Sequence, residues 1–156
     1  DLGSKLLNRR TDRCRTADTP LPGMQLQAPT PLTAALNPAG PIVDASSLQH
    51  LAEAYGETAA DVLRLAQDRP ALQRRLSPHS PVLAVQLIWA VRHEMALTLT
   101  DAVVRRTPLG ALGYPGDQVA AESAALIGAE LGWTDATVRD EISALQTFYA
   151  IRSSRP

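Results

Sequence analysis

From Ser46 onward the apolar residues recur at three- and four-residue intervals, and no stretch alternates at two. That regularity decides the fold class, because a half-buried strand needs period two and an amphipathic helix period 3.6. The residue types agree with it. Aromatic residues make up only 4% of the chain, so the core has to be built from Ala, Leu and Val, a mixture that favours helices over sheets. The expected architecture is all-α, a compact bundle of about six or seven short helices.

Seven segments carry helix signals. In "SSLQHLAEAYG", Ser46 or Ser47 opens a helix, Leu48, Leu51, Ala52 and Tyr55 form its apolar stripe, and Gly56 closes it. "TAADVLRLAQD" starts at Thr58 with Asp61 three residues on, in the manner of a capping box. "RPALQRRL" offers Pro70 at a first helical turn, and "SPVLAVQLIWAVRHEMA" has Ser80 as cap with Pro81 next. Thr98 and Asp101 repeat the capping spacing in "TLTDAVVRR", which predicts a new start or a bend there. "DQVAAESAALIGAELG" ends at Gly132. In the last segment Thr134 is the cap, Trp133 and Val138 are placed to staple across it, and Val138, Ile142, Leu145, Phe148 and Tyr149 form a stripe.

Residues 1–45 differ in character. A short basic stretch, "NRRTDRCR", is followed by "ADTPLPGMQLQAPTPLTAALNPAGP", where frequent proline removes donors and forbids regular helix. This segment reads as an extended connector, and residues 46–152 as the helical domain. The sequence does not begin with methionine, and we read it as a piece of a longer chain.

Several function classes fall away. A net charge of −1 gives no general attraction to nucleic acid or anionic membranes. A single cysteine, Cys14, excludes an internal disulfide and fits a reducing compartment. The longest uncharged apolar run, Pro81 to Val91, is too short to span a bilayer. His50 and His79 read as solvent-facing or capping residues, Trp89 and Trp133 as core anchors.

The candidate site is a charged strip: Arg92, His93, Glu94, Asp101, Arg105, Arg106 and Thr107. Its "HEMAL" is no zinc-protease motif, because the second ligand, one turn after His93, is Leu97. No other pair of histidines has ligand spacing, and no nucleophile stands near His93 or Glu94, so the strip holds neither a metal nor a catalytic base. Helical geometry puts Ile88, Arg92 and Met95 on one face and Gln86, Trp89 and His93 on the next. Arg92 beside an apolar stripe must find acceptors, and Asp101 with Arg105 forms an i,i+4 pair. Two readings remain: an intramolecular network fixing one helix against a turn, or a charged surface that docks another domain or ligates an anion.

"LQHLAEAYGETAADVLRLA", "VRHEMALTLTDAVVRRTPLG" and "GAELGWTDATVRDEISA", with "CRTADTPLPG" upstream, resemble the C-terminal helical domain of FAD-dependent glycerol-3-phosphate dehydrogenase. The resemblance covers residues 14–23 and roughly 48–149, in order. It implies a parent that oxidises sn-glycerol 3-phosphate to dihydroxyacetone phosphate, with hydride passing to FAD and electrons to a quinone. It implies that FAD and the substrate are held N-terminal to this domain, so that this piece carries no catalytic, cofactor-binding or metal-binding residue. The implied partners are the N-terminal FAD domain, reached through the 1–45 connector, and a second copy of the chain. The implied location is cytoplasmic, with the parent peripheral on the cytoplasmic membrane face and touching the membrane only through its other parts. A free-standing helical interaction module is the alternative reading of the same residues.

Overall fold

The computed structural model describes residues 17–19 and 43–153, and the connector expected over residues 1–45 lies almost wholly outside them. Among the described residues there are five α-helices: α1 (Ala45–Tyr55), α2 (Ala59–Arg64), α3 (Ala84–His93), α4 (Asp117–Leu131) and α5 (Asp135–Ser153). Short 3₁₀ turns at Gly56–Thr58, Pro70–Gln73 and Pro108–Gly110, and a π-helical turn at Asp101–Arg106, complete the helical structure. Two of the seven expected helices are therefore these shorter forms. "RPALQRRL" makes one 3₁₀ turn, and "TLTDAVVRR" winds as the π turn.

The first of these departures has a local cause. After Gln73 the backbone turns extended, and Arg75 forms an isolated antiparallel bridge with Leu83. Leu76 N–H donates to the Val82 carbonyl at 3.1 Å, and Ala84 N–H to that of Arg74 at 2.9 Å. Pro78 and Pro81 have no amide hydrogen to offer a helix in the intervening loop. The following helix consequently begins at Ala84, three residues beyond the expected Pro81, with Leu83 rather than Ser80 at its cap position. No strand occurs among the described residues.

The centre of the bundle is α3. Ala84, Val85, Leu87, Ile88 and Ala90 are essentially inaccessible to water, and the helix packs on α2, α4, the Pro70–Gln73 turn and the π turn. A helix apolar on nearly every side is stable only when surrounded. The partners supply Leu51 from α1, Val62 and Leu63 from α2, Ala120, Ala124 and Ile127 from α4 and Leu145 from α5. Burying each Leu or Ile contributes about 1.5–3 kcal/mol.

The α4–α5 corner follows its sequence signals. Gly132 sits in the left-handed region, φ 69°, and ends α4. Thr134 Oγ1 accepts from Thr137 N–H at 3.2 Å and caps α5. A Cβ on Gly128 would lie 3.3 Å from Val138 Cγ2 and 3.4 Å from the Trp133 ring, so the two staple residues converge on that glycine. At its other end α5 is tied down by Tyr149, whose hydroxyl donates to the Gly110 carbonyl at 2.6 Å.

The caps of α1 and α2 differ from expectation. Asp44, not Ser46 or Ser47, caps α1, accepting from the Ser46 and Ser47 amides at 3.0 and 3.1 Å. Both serine hydroxyls donate to the same carboxylate. Arg75 Nε adds a bond at 2.8 Å, and this guanidinium holds the Asp44 carboxyl well below the usual carboxylate range. Thr58 makes no capping box, because its hydroxyl donates back to the Tyr55 carbonyl at 2.7 Å. Asp44→Ala removes both cap and cross-link, and costs about 1 kcal/mol or more, a fall in melting temperature of about 4 °C or more. Thermal denaturation followed by circular dichroism checks this, with Asp44→Asn, which keeps the cap without the charge, falling between the two.

Candidate functional site

Arg92 occupies the last turn of α3, and its Nε donates to Glu130 Oε2 of α4 at 2.7 Å. The other carboxylate oxygen of Glu130 accepts from both terminal nitrogens of Arg69, at 3.1 and 3.0 Å. Glu130 is only 12% exposed and thus clamps α3 and α4 to the turn before Pro70. Burial raises the pKa of this carboxyl, but the hydrogen bonds from Arg92 and then Arg69 outweigh it and hold Glu130 below the ordinary range. Arg92 has found its acceptor across the bundle, and its strip neighbours play no part in it.

His93 and Glu94 end the same helix. The His93 ring stacks on Trp89 at 4.0 Å between centroids and 25° between planes, and Trp89 stands edge-on to Tyr55 at 6.3 Å. Glu94 is half-buried. Desolvation pushes its carboxyl up, while Arg106, an indole hydrogen bond from Trp89 and the charge of His93 pull it down by less. The helix stops here because Met95 adopts φ 58° and the Ala96 amide folds back on the Ala90 carbonyl at 3.0 Å. Met95 therefore leaves the face expected to hold Ile88 and Arg92, and is 78% exposed. Leu97, two residues on, is 62% exposed, while Ala96 between them is buried.

Asp101 starts the π turn. Its carboxylate accepts from the Leu97 and Thr98 amides at 3.3 and 3.2 Å, while Thr98 Oγ1 accepts from Asp101 N–H at 3.0 Å. This is the reciprocal capping pair that the Thr98–Asp101 spacing predicts. Glu141 of α5 satisfies the next free donor, the Leu99 amide, at 2.7 Å. Asp101 also accepts from Arg105 at 2.7 Å, the expected i,i+4 pair. Burial opposes ionisation of Asp101, but the bonds from Thr98, Leu97 and Arg105 prevail and its pKa is lowered. Thr107 is 5% exposed; its hydroxyl and amide both donate to the Ala102 carbonyl, at 2.8 and 3.0 Å, closing the turn. Pro108 lacks an amide hydrogen and prevents continuation. Arg105 and Arg106 face solvent.

The strip is thus three separate arrangements: a clamp at Arg92, an aromatic stack at His93 and a capped turn at Asp101–Thr107. Its pKa shifts arise from capping and burial. Among the described residues no three His, Cys, Asp or Glu side chains converge as metal ligands. No described helix is long and apolar enough to cross a membrane. Sequence reasoning missed Arg69, Glu130 and Glu141, whose bonds join residues 61, 38 and 42 positions apart and leave no local spacing to detect. Glu130→Ala removes the shared acceptor of two part-exposed guanidinium groups and costs about 0.5–1.5 kcal/mol, more than Arg92→Ala or Arg69→Ala alone. Because the folded Glu130 pKa lies below its ordinary 4.5, its contribution is full above that pH and is lost as pH falls through the folded value. Urea melts of wild type and Glu130→Gln should converge on acidification.

Comparison with known proteins assigns this arrangement to a family. Residues 14–138 match the family described as the C-terminal domain of alpha-glycerophosphate oxidase. A glycerol-3-phosphate dehydrogenase of Synechocystis sp. is 38% identical over 103 residues, 66% of this chain and 18% of that protein. The probable mitochondrial glycerol-3-phosphate dehydrogenase of Caenorhabditis elegans is 34% identical over 105 residues, 64% of this chain and 14% of its own length. Glycerol-3-phosphate dehydrogenase 2 of Mycobacterium tuberculosis is 33% identical over 98 residues, 62% of this chain and 17% of its own. The chain spans less than a fifth of each of these relatives. No solved structure gives a significant match. The match over residues 14–138 places the chain in the family of alpha-glycerophosphate oxidase C-terminal domains.

Proposed function

We propose that this chain is the accessory C-terminal domain of an FAD-dependent glycerol-3-phosphate dehydrogenase and that it docks on, and stabilises, the flavin-binding body of its parent. In this reading the parent oxidises sn-glycerol 3-phosphate to dihydroxyacetone phosphate and passes the electrons to a quinone. Residues 46–152 form the helical domain and residues 1–45 the connector from the flavin domain. The parent works in the cytoplasm, peripheral on the cytoplasmic membrane face. Support for the activity comes from the names of the relatives, and support for the division from the short share of each relative that the chain spans. The flavin belongs to the N-terminal part, since the sequence here has no glycine-rich turn of the dinucleotide-binding kind.

One observation carries the docking role. Met95 and Leu97 stand out from the knuckle that joins α3 to the π turn, and Met95 does so with its backbone in the left-handed region, where a non-glycine residue is disfavoured by about 1 kcal/mol or more. A chain that needed only to turn here would do so at lower cost with glycine and polar residues. Arg92, His93 and Arg106 are exposed on the neighbouring surface. The clamp and the capped turn hold this knuckle in place, so the strip both wires the domain and presents the surface. Contacts with a second copy of the parent are a further use of the same exposed residues.

Changing Met95 and Leu97 together to Asp in the full-length parent is expected to lower its melting temperature and its flavin retention. Each buried apolar side chain lost is worth about 1.5–3 kcal/mol. The same pair in the 156-residue chain leaves its own melting within about 0.5 kcal/mol, as for surface changes generally. Unchanged flavin content and melting of the parent double variant would falsify the docking role.

A further inference from the structure

His50 and Gln86 form a side-chain link between α1 and α3 that no functional reading above uses. Gln86 is 1% exposed, and its two ends have different tasks. Its Oε1 accepts from the Leu83 amide at 2.8 Å, satisfying a free donor at the start of the central helix. That bond fixes the orientation of the side-chain amide, since the reverse orientation would set an NH₂ against a backbone N–H. The Nε2 hydrogens therefore point the other way, toward His50 Nε2 at 3.2 Å and the Tyr55 hydroxyl at 3.5 Å. A donor facing His50 Nε2 requires that nitrogen to be an acceptor.

We propose that Gln86 holds His50 as its neutral Nδ1–H tautomer, and that uptake of a proton at Nε2 breaks this link, making the α1–α3 contact an acid-sensitive latch. A protonated Nε2 presents N–H to N–H and the pair separates. Gln86 cannot rotate to accommodate it without abandoning Leu83, so the His50 ring is the part that moves. It has somewhere to go. The half-buried His50 lines an open cavity of about 460 Å³ together with Ser46, Gln49, Glu53, Arg75 and His79.

The charges around the cavity set how readily the latch opens. Glu53, on the same helix, attracts the imidazolium, while Arg75 from the facing segment lines the cavity with its charge paired to Asp44. His79 from that segment also lines this cavity, and Tyr114 from the loop after Pro108 lines a second cavity that His50 borders. Tyr55 stays neutral throughout, because burial pushes its hydroxyl up to about 12. Desolvation lowers the His50 pKa from its ordinary 6.5 and the charge of Glu53 only partly restores it. The sign follows: the unfolded chain binds the proton more tightly, so the contribution of the latch is full above 6.5 and is lost as pH falls through the lower folded value.

The test reads the imidazole nitrogens of the 156-residue chain by ¹⁵N NMR and its melting temperature from about pH 8 to about pH 5. His50 is expected as the Nδ1–H tautomer at the alkaline end, with a titration midpoint below 6.5. In Gln86→Glu, where a carboxylate replaces the donor, the midpoint rises by about one unit or more. His50→Gln, which keeps an oxygen acceptor for Gln86 and cannot titrate, should flatten part of the fall in melting temperature on acidification. An Nε2–H tautomer in the unmutated chain overturns the proposal whether or not the variants fold. So does an unmoved midpoint in a folded Gln86→Glu protein, or an undiminished acid slope in His50→Gln.

Discussion

The structure depends on enclosing α3. A helix with almost no solvated face can offer polar chemistry only at its two ends, and every helix end has backbone groups that must be satisfied. At the amino end the Arg74–Leu76 segment pairs with Val82–Ala84, and Gln86 reaches back to Leu83. At the carboxyl end the amides of Glu94 and Ala96 both close on the Ala90 carbonyl. Two polar networks of the domain stand at these ends: His50, Gln86 and Tyr55 at one, the charged strip at the other. Their position follows from the burial between them.

The strip shows how one local sequence can serve several contacts. Arg92, His93 and Glu94 are adjacent in sequence, yet each has a different partner: a carboxylate on α4, an indole one turn back, and that indole's N–H together with the charge of Arg106. Adjacent helical residues point about 100° apart, so proximity along the chain scatters side chains over different neighbours. The clustering of charge that first suggests chemistry is the trace of a helix end that several elements must grip at once. The grip keeps Met95 and Leu97 outward, where an apolar surface is otherwise unexpected.

What could be read from the sequence was what depends on short separations. The stripe of Leu48, Leu51, Ala52 and Tyr55, the stop at Gly132, the Thr134 cap, the Thr98–Asp101 pair and the Trp89–His93 neighbourhood all rest on intervals of a few residues. Errors arose where a distant segment competed for the same backbone. Pro81 is well suited to a first helical turn, but the bridge to Arg75 keeps residues 81–83 extended. Asp44 outcompetes the serines because a carboxylate can serve two amides, two hydroxyls and Arg75 together. His50 is drawn inward by Gln86, which lies on another helix, and so is not the solvent-facing residue its polarity suggests. The clamp on Glu130 is legible only in part: that Arg92 needs an acceptor follows from its position, but which acceptor it finds follows from how α4 packs.

The π turn has a bearing on how this segment tolerates change in length. Between Asp101 and Arg106 the backbone bonds skip one residue more than in an α-helix, so the turn carries a surplus position while its ends stay anchored at Thr98 and at the Ala102–Thr107 closure. A π turn takes more residues per rotation than an α-helix, so the surplus is absorbed inside the turn and the chain beyond it keeps nearly the same phase. Removing one residue between Ala102 and Thr107 would turn the five-residue bond from the Thr107 amide to the Ala102 carbonyl into an ordinary four-residue α-helical bond, with both anchors kept. The segment is therefore a length buffer, able to give up one position while Thr98 and Thr107 hold their partners.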